Sequence, residues 1–288
     1  YAQYRETGWI GAAYDPEIGG LGLPWAVNAA GQEMLFAANM SFSLCPLLSQ
    51  GAIEAIEAHG SPDQRAKYLE RQVTGEWSGT MNLTEPHAGS DVGALKSRAE
   101  PQPDGTYRIF GQKIYITFGE HDMADNIIHL VLARTPGAPA GTKGISLFIV
   151  PKFLVNDDGS LGARNDAKCI KLEEKLGIHA SPTCVMQYGD DDGAVGYMIG
   201  PENGGMACMF TMMNNARLSV GIQGLGIAER AYQHALAYAK DRVQSAKIGG
   251  TSKDSVRIIE HPDARRNPLP MKPPTAPHRG QASSPPTH

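Results

Sequence analysis

Residues 81–91 read Met81-Asn82-Leu83-Thr84-Glu85-Pro86-His87-Ala88-Gly89-Ser90-Asp91, and about twenty residues further on the chain reads Gly111-Gln112-Lys113-Ile114-Tyr115-Ile116-Thr117. The first stretch is dense in small, hydroxylated and glycine residues and lies where helical text gives way to short β-branched runs. Gly89 followed by Ser90 can turn backbone N–H groups and a hydroxyl toward a phosphate, the nest-like use of irregular backbone. The second stretch reads as a turn at Gly111-Gln112 entering a strand, with Lys113, Tyr115 and Thr117 on one face and Ile114 and Ile116 on the other. An aromatic ring and a hydroxyl two residues apart on one face can stack on a planar heterocycle and hydrogen-bond its edge. Taken alone, each stretch reads more simply as ordinary structure: a domain-boundary loop, and a half-buried strand with a solvated face.

Upstream, residues 24–73 carry helical text. Ser61-Pro62-Asp63-Gln64 combines an N-cap serine, a proline at the first helical position and a glutamine three residues after the cap, which is a capping box. Downstream of Met81 the runs TYRIF, KIYIT, NIIHLVLAR, GISLFIVP, TCVMQY and VGYMI alternate with Gly, Pro and Asp, which predicts an antiparallel β domain. After Pro201, apolar positions at 3.6 spacing predict one long helix from about Met206 to Val243. Gly221, Gly224 and Gly226 inside it each cost about 1 kcal/mol relative to alanine, so they are read as marks of close backbone approach. From Pro262 to His288, eight of the chain's 20 prolines fall in 27 residues, which predicts a disordered or extended tail. The predicted organisation is α+β and multidomain: a helical N-terminal domain (1–80), an antiparallel β-barrel middle domain (81–200), the start of a C-terminal helical bundle (201–261) and the Pro-rich tail (262–288).

Composition narrows the function. A chain of 288 residues, 41% hydrophobic and 19% charged, excludes wholesale disorder. Lys+Arg 26 against Asp+Glu 30 gives a net charge of -4, without the basic excess that sequence-independent phosphate binding needs, so nucleic acid is not an expected partner. Thirty-three glycines and 20 prolines argue for many turns and against a pure helix bundle. Cys45, Cys169, Cys184 and Cys208 form no CxxC pair and are expected as free thiols in a reducing compartment. No run of 18 apolar residues and no signal pattern at the first residues lead to an expectation of no membrane segment and a cytoplasmic or organelle-matrix location. His87, His121 and His179 lack metal-ligand spacing, so no metal is expected. The Met-rich run MACMFTMM reads as core packing, and Leu95-Lys96-Ser97-Arg98 as a solvated strand edge. The chain opens at Tyr1 without an initiator Met and is expected to be a fragment.

Together the two opening stretches, L-T-E-P-x-A-G-S-D and then G-Q-K-x-[aromatic]-I-T, resemble the flavin-binding signature of the acyl-CoA dehydrogenase family, and the resemblance extends to about His261. Within the family, KLGIHASPTCVM and MFTMMNNARLSVGIQGLG look most like the 3-methylmercaptopropionyl-CoA dehydrogenase branch. The resemblance implies FAD as cofactor. It puts backbone groups of Leu83 and the hydroxyl of Thr84 at the pyrimidine end, Gly89 and Ser90 at the pyrophosphate, and Tyr115, Ile116 and Thr117 at the flavin. Tyr115 stands where the family usually has Trp or Phe, and Thr117 stands on the N5/O4 side. It implies Ser90, Asn214 and Arg217 on the acyl-CoA side, with Asn214 replacing the acidic residue of medium-chain enzymes. Arg242 matches an arginine that reaches the FAD pyrophosphate of a neighbouring subunit; by itself it reads as a cation complementing a helix C-terminus. Glu85 and Asp91 are implied as structural members of the loop.

The implied reaction is α,β-dehydrogenation of an acyl-CoA thioester to the trans-2-enoyl-CoA, in fatty acid metabolism, with electron-transfer flavoprotein as acceptor and a homodimer or homotetramer as the assembly. The base is expected late in the C-terminal helical domain, beyond the last residue here. No catalytic residue is therefore named, and the 288 residues alone are expected to be inactive and to hold FAD poorly. Two other readings are a noncatalytic flavin- or CoA-binding relative and an acyl-CoA oxidase-type relative.

Overall fold

The protein's structure, a computed structural model, describes residues 1–267, so the expected tail from residue 268 onward lies outside the described residues. Four helices come first: α1 (Ala2–Glu6), α2 (Trp25–Ala38), α3 (Met40–His59) and α4 (Pro62–Val73). The α4 start is closed by the capping box, Gln64 N–H donating to Ser61 Oγ at 3.2 Å and Ser61 N–H to Gln64 Oε1 at 3.0 Å. Ten strands follow: β1 (Trp77–Asn82), β2 (Arg98–Pro101), β3 (Tyr107–Thr117), β4 (Asn126–Ala133), β5 (Ser146–Pro151), β6 (Phe153–Val155), β7 (Leu161–Arg164), β8 (Ala167–Leu172), β9 (Thr183–Tyr188) and β10 (Ala194–Ile199). The chain continues through α5 (Gly205–Asp241), the pair β11 (Val243–Ala246) and β12 (Ser255–Arg257), and α6 (Pro262–Arg266). The predicted long helix is α5, shifted by one or two residues. Where an extended tail was expected to begin, α6 forms one short helix, opened by Pro262 at its first position with Asp263 in its first turn.

The chain divides into two compact units, one of Tyr1–Leu23 with Ser41–Arg217 and the other of Pro24–Met40 with residues from Leu218 onward. In the first unit the main sheet runs β1-β4-β5-β10-β3-β9-β8, with β2 paired to β3. Its pairs are antiparallel except β1 with β4, which run parallel from Trp77 opposite Asn126 to Asn82 opposite Val131. Among the described residues the ladders trace a path from β1 to β8; the parallel pair β1 with β4 departs from the antiparallel pairing expected throughout this domain. Ile109, Ile116, Val131, Phe148, Met186 and Tyr188 form its core. The sheet begins at Trp77, four residues before Met81, in a stretch, Trp-Ser-Gly-Thr, with no β-branched run to announce a strand. Helices α3 and α4 lie against this strand: Gly79 N–H donates to Ser49 Oγ at 3.1 Å, and the rings of Tyr68 and Trp77 meet at 6.3 Å.

Two sequence expectations need correction here. TYRIF and KIYIT are one unbroken strand, and Gly111-Gln112 is no turn. Gly111 sits at φ 141°, and a Cβ there would lie 2.4 Å from Ser97 Oγ; glycine is present for close approach between neighbouring strands. The segment Leu95-Lys96-Ser97-Arg98 is only half solvated, since Leu95 and Ser97 are buried.

In the second unit, α2 and the later part of α5 approach closely. A Cβ on Gly226 would fall 2.9 Å from the Glu33 carbonyl oxygen and 3.3 Å from Ala37 N, as expected of a close-approach glycine. Gly221 and Gly224 have open space around them, which corrects the same expectation for those two. Arg230 Nη1 donates to the carbonyl oxygens of Ala37 at 2.6 Å and Ala38 at 3.3 Å, satisfying otherwise orphaned groups at the end of α2.

Candidate flavin-binding site

The site is built by folding the 83–91 loop onto β3. Ile114 N–H donates to the Thr84 carbonyl oxygen at 2.9 Å, and Glu85 and Ala88 exchange backbone hydrogen bonds at 2.9 and 3.0 Å that close the loop into a tight turn. Gly89 lies under the Thr84 methyl, its Cβ position 3.5 Å from Thr84 Cγ2. The loop is held from inside by Glu85. Its carboxylate accepts from Lys96 N–H at 2.7 Å, Ser97 N–H at 3.0 Å, Ser97 Oγ–H at 2.6 Å and the Lys113 ammonium at 2.8 Å. Lys113 also donates to the Leu83 carbonyl oxygen at 3.1 Å.

Lys113 therefore does not share the exposed face of Tyr115 and Thr117; its side chain is 0% exposed, which corrects the alternation read from the sequence. The cause is a bulge. On the β9 side, Lys113 faces Met186 and Ile116 faces Cys184, so Ile114 and Tyr115 together oppose Val185 alone. The extra residue shifts the side-chain period, sending Lys113 and Ile116 inward and Tyr115 out. Tyr115 carries the strain of that shift at φ 61°, a left-handed conformation that costs a non-glycine residue about 1–3 kcal/mol. Tyr115 is 62% exposed.

Electrostatics follow the burial. Burial alone raises the Glu85 carboxyl, but the Lys113 charge and the donors around it outweigh this and hold its pKa below the ordinary value. Burial pulls the Lys113 ammonium down to about 8, opposed by Glu85, so the pair is ionised at neutral pH. Behind the loop, the Tyr188 hydroxyl donates to Asn82 Oδ1 at 2.9 Å, Asn82 Nδ2 donates to Thr80 Oγ1 at 2.8 Å, and Thr80 Oγ1 lies 2.7 Å from His129 Nδ1. This chain fixes the last residue of β1 immediately before Leu83.

Leu83, Thr84, Gly89, Tyr115, Ile116 and Thr117 are thus gathered into one place, with Ser90 beside them on the exposed end of the loop. Among the described residues, the hydroxyls of Thr84, Ser90, Tyr115 and Thr117 make no protein hydrogen bond and stand free for a ligand. Ile116 is in the core, which leaves only its backbone to meet one. Asn214 and Arg217 form a separate pair on α5, Arg217 Nη1 donating to Asn214 Oδ1 at 3.0 Å with its guanidinium 5.2 Å over the Phe210 ring. Arg242 belongs to the second unit, where Nη2 donates to Gln244 Oε1 at 3.4 Å.

Two buried charged side chains were not foreseen from the sequence. Lys113 reads as a solvated strand residue and is instead the internal tie of the loop. Glu54 on α3, not singled out from the sequence, accepts a hydrogen bond from Asn215 Nδ2, and burial pushes its pKa up to about 7. Only the lysine had a signal, its position within G-Q-K-x-[aromatic]-I-T. Among the described residues no three His, Cys, Asp or Glu side chains gather as a metal site, and no helix is long and apolar enough to cross a membrane.

The N-terminal, middle and C-terminal domain descriptions of the acyl-CoA dehydrogenases match residues 1–76, 80–190 and 203–252 in that order. The chain belongs to the acyl-CoA dehydrogenase family. It is 55% identical over 272 residues to 3-methylmercaptopropionyl-CoA dehydrogenase of Ruegeria pomeroyi, covering 94% of this chain and 46% of that protein. Among solved structures it resembles butyryl-CoA dehydrogenase of Megasphaera elsdenii, with 26% identity, a TM-score of 0.80 and coverage of 97% of this chain and 68% of the other. It equally resembles the acyl-CoA dehydrogenase of Bacillus anthracis complexed with FAD, with 26% identity, a TM-score of 0.80 and coverage of 98% and 44%. The chain spans less than half the length of the Ruegeria relative.

Proposed function

We propose that this chain supplies the flavin-binding part of an FAD-dependent acyl-CoA dehydrogenase that converts an acyl-CoA thioester to its trans-2-enoyl-CoA. The observation that carries the reading is the loop docked on a strained bulge: free hydroxyls at Thr84 and Thr117 flank an exposed aromatic, Tyr115, held at positive φ. FAD, when bound, supplies the acceptor for a hydride leaving the β-carbon. Thr84 and Thr117 hydrogen-bond the polar edge of the ring system, and Tyr115 packs against its rim. The backbone of Gly89 and the hydroxyl of Ser90 meet the pyrophosphate, where small residues let the chain come close. On the acyl-CoA side stand Asn214 and Arg217. Arg242 is assigned to the pyrophosphate of a neighbouring protomer, a role for which a bidentate guanidinium is suited. Electron-transfer flavoprotein is the proposed acceptor and a homo-oligomer the proposed assembly. No residue of this chain is assigned as the base.

The complete protein, purified yellow and mixed with acyl-CoA thioesters without oxygen, should bleach at the flavin absorbance maximum; failure with every chain length tried would sink the reading. Replacing Thr84 and Thr117 by valine should lower FAD occupancy, since each loss leaves a buried polar ring atom unpaired at a cost of about 1–3 kcal/mol. Equal occupancy and an unchanged spectrum would refute the site.

A further inference from the structure

All four cysteines are free, and two of them are neighbours across strands. On β8 and β9, Cys169 lies opposite Met186 and Leu172 opposite Cys184. Alternate residues of a strand share a face, so Cys184 and Met186 point the same way. Both belong to the sheet core, and Cys169 packs partly buried against that core. Cys169 and Cys184 are therefore a diagonal pair on one face. The ladder slips between Cys169 and Lys171, where Ile170 is an extra residue that bends β8. Cys169 Sγ donates to the Lys171 carbonyl oxygen at 3.4 Å; burial first, and then the neighbouring Cys169, hold Cys184 protonated, with its pKa pushed up to about 12.

We propose that Cys169 and Cys184 are a peroxide-sensitive dithiol that closes into a cross-strand disulfide. The oxidant is a hydroperoxide, ROOH. The half-exposed Cys169 sulfur attacks the O–O bond, which breaks to release ROH, and Cys169 becomes a sulfenic acid. The Cys184 sulfur then attacks that of Cys169; the S–S bond forms, the S–O bond breaks, and the departing hydroxide takes the Cys184 proton and leaves as water. Two thiols and one hydroperoxide give one disulfide, one ROH and one water.

Diagonal cross-strand pairs sit about 7–8 Å apart at Cα and a relaxed disulfide spans about 4.4–6.8 Å, so closure draws β8 toward β9 by roughly 1 Å. β8 ends the sheet path and can move without breaking a further ladder. A bond made under that strain is easily reduced, which suits a reversible site. Cys45 and Cys208 are buried and take no part in this pair, so they serve as internal controls.

The test treats the purified protein with hydrogen peroxide, alkylates it under denaturing conditions and maps peptides by mass spectrometry. The expected result is a linked pair of peptides carrying Cys169 and Cys184, lighter by two hydrogens than their sum, that a reductant separates while Cys45 and Cys208 stay alkylatable. In Cys184→Ala, Cys169 should instead be trapped by dimedone as the sulfenic acid; in Cys169→Ser, Cys184 should remain a thiol. The proposal is overturned if the unmodified protein keeps all four thiols at a dose that oxidises Cys169 in Cys184→Ala. It is equally overturned if Cys169 of the unmodified protein runs on to the sulfinic acid without the linked pair, or stays reduced in both proteins.

Discussion

The Lys113 ammonium lies 2.8 Å from Glu85 Oε1 and 3.1 Å from the Leu83 carbonyl oxygen, entirely shielded from solvent. It ties the middle of β3 to the beginning and the turn of the 83–91 loop, so the two stretches that define the site are held by one cation. A buried pair is a poor source of net stability against an apolar equivalent, but breaking it from one side is costly because it strands a charge.

Lys113→Met should therefore destabilise the protein by about 3–5 kcal/mol. Adding Glu85→Gln should recover part of that loss by removing the stranded charge. Urea unfolding of the single and double variants checks this, and a double variant no more stable than Lys113→Met alone would contradict it.

Tyr115→Gly should separate stability from binding. Glycine adopts φ near 61° without strain, and little burial is lost from so exposed a ring, so the protein should gain up to about 1 kcal/mol. FAD retention should fall at the same time. A melting temperature that drops together with FAD occupancy would mean that the tyrosine holds the strand together rather than meeting the flavin.

The glycines of α5 should behave differently from one another. Gly221→Ala and Gly224→Ala place a methyl in open space within a helix and should each stabilise by about 1 kcal/mol. Gly226→Ala forces a Cβ to 2.9 Å from the Glu33 carbonyl oxygen and should destabilise despite the better helix propensity. Chemical denaturation of the three variants ranks them directly.

Acid should weaken the fold above the range in which Glu85 titrates. Burial pulls the pKa of His129 down to about 3; burial first, and then the Lys152 charge, pull that of His121 down to about 4, against 6.5 for an ordinary histidine. Below pH 6.5 the unfolded chain binds protons that the folded chain refuses, so stability declines as pH falls from 6.5 toward those values. Glu85 acts in the same direction but lower: its stabilising contribution is present above its ordinary value of 4.5 and is lost as pH falls through its depressed folded value. Between pH 4.5 and 6.5 the two histidines produce the decline, while Glu54, raised to about 7 by burial, opposes it because the folded chain keeps a proton there that the unfolded chain has lost; His129→Asn should flatten the decline in denaturation curves taken across that window. An unchanged slope would place the effect elsewhere.

Sequence by itself determined what depends on neighbours along the chain. The cap Ser61 with Gln64, the 3.6 period of α5 and the β-branched runs of β4, β5 and β9 are local rules, satisfied by residues three or four apart or by simple alternation. The paired motif around Thr84 and Thr117 was legible for the same reason: residue types at short fixed spacings. Tertiary structure alone decided what depends on a partner distant in the chain. The bulge at Tyr115 exists only because β9 offers one residue, Val185, opposite two, and that register turned Lys113 from the solvent to Glu85. Gly111 is a strand residue rather than a turn because it pairs with Tyr188 of β9, and Ser97 leaves no room for a side chain there. The parallel pairing of β1 with β4, the burial of Glu54 beside Asn215 and the meeting of Cys169 with Cys184 have the same origin. Burial and pairing energies are set by which surfaces come together, and no window of neighbouring residues contains both surfaces.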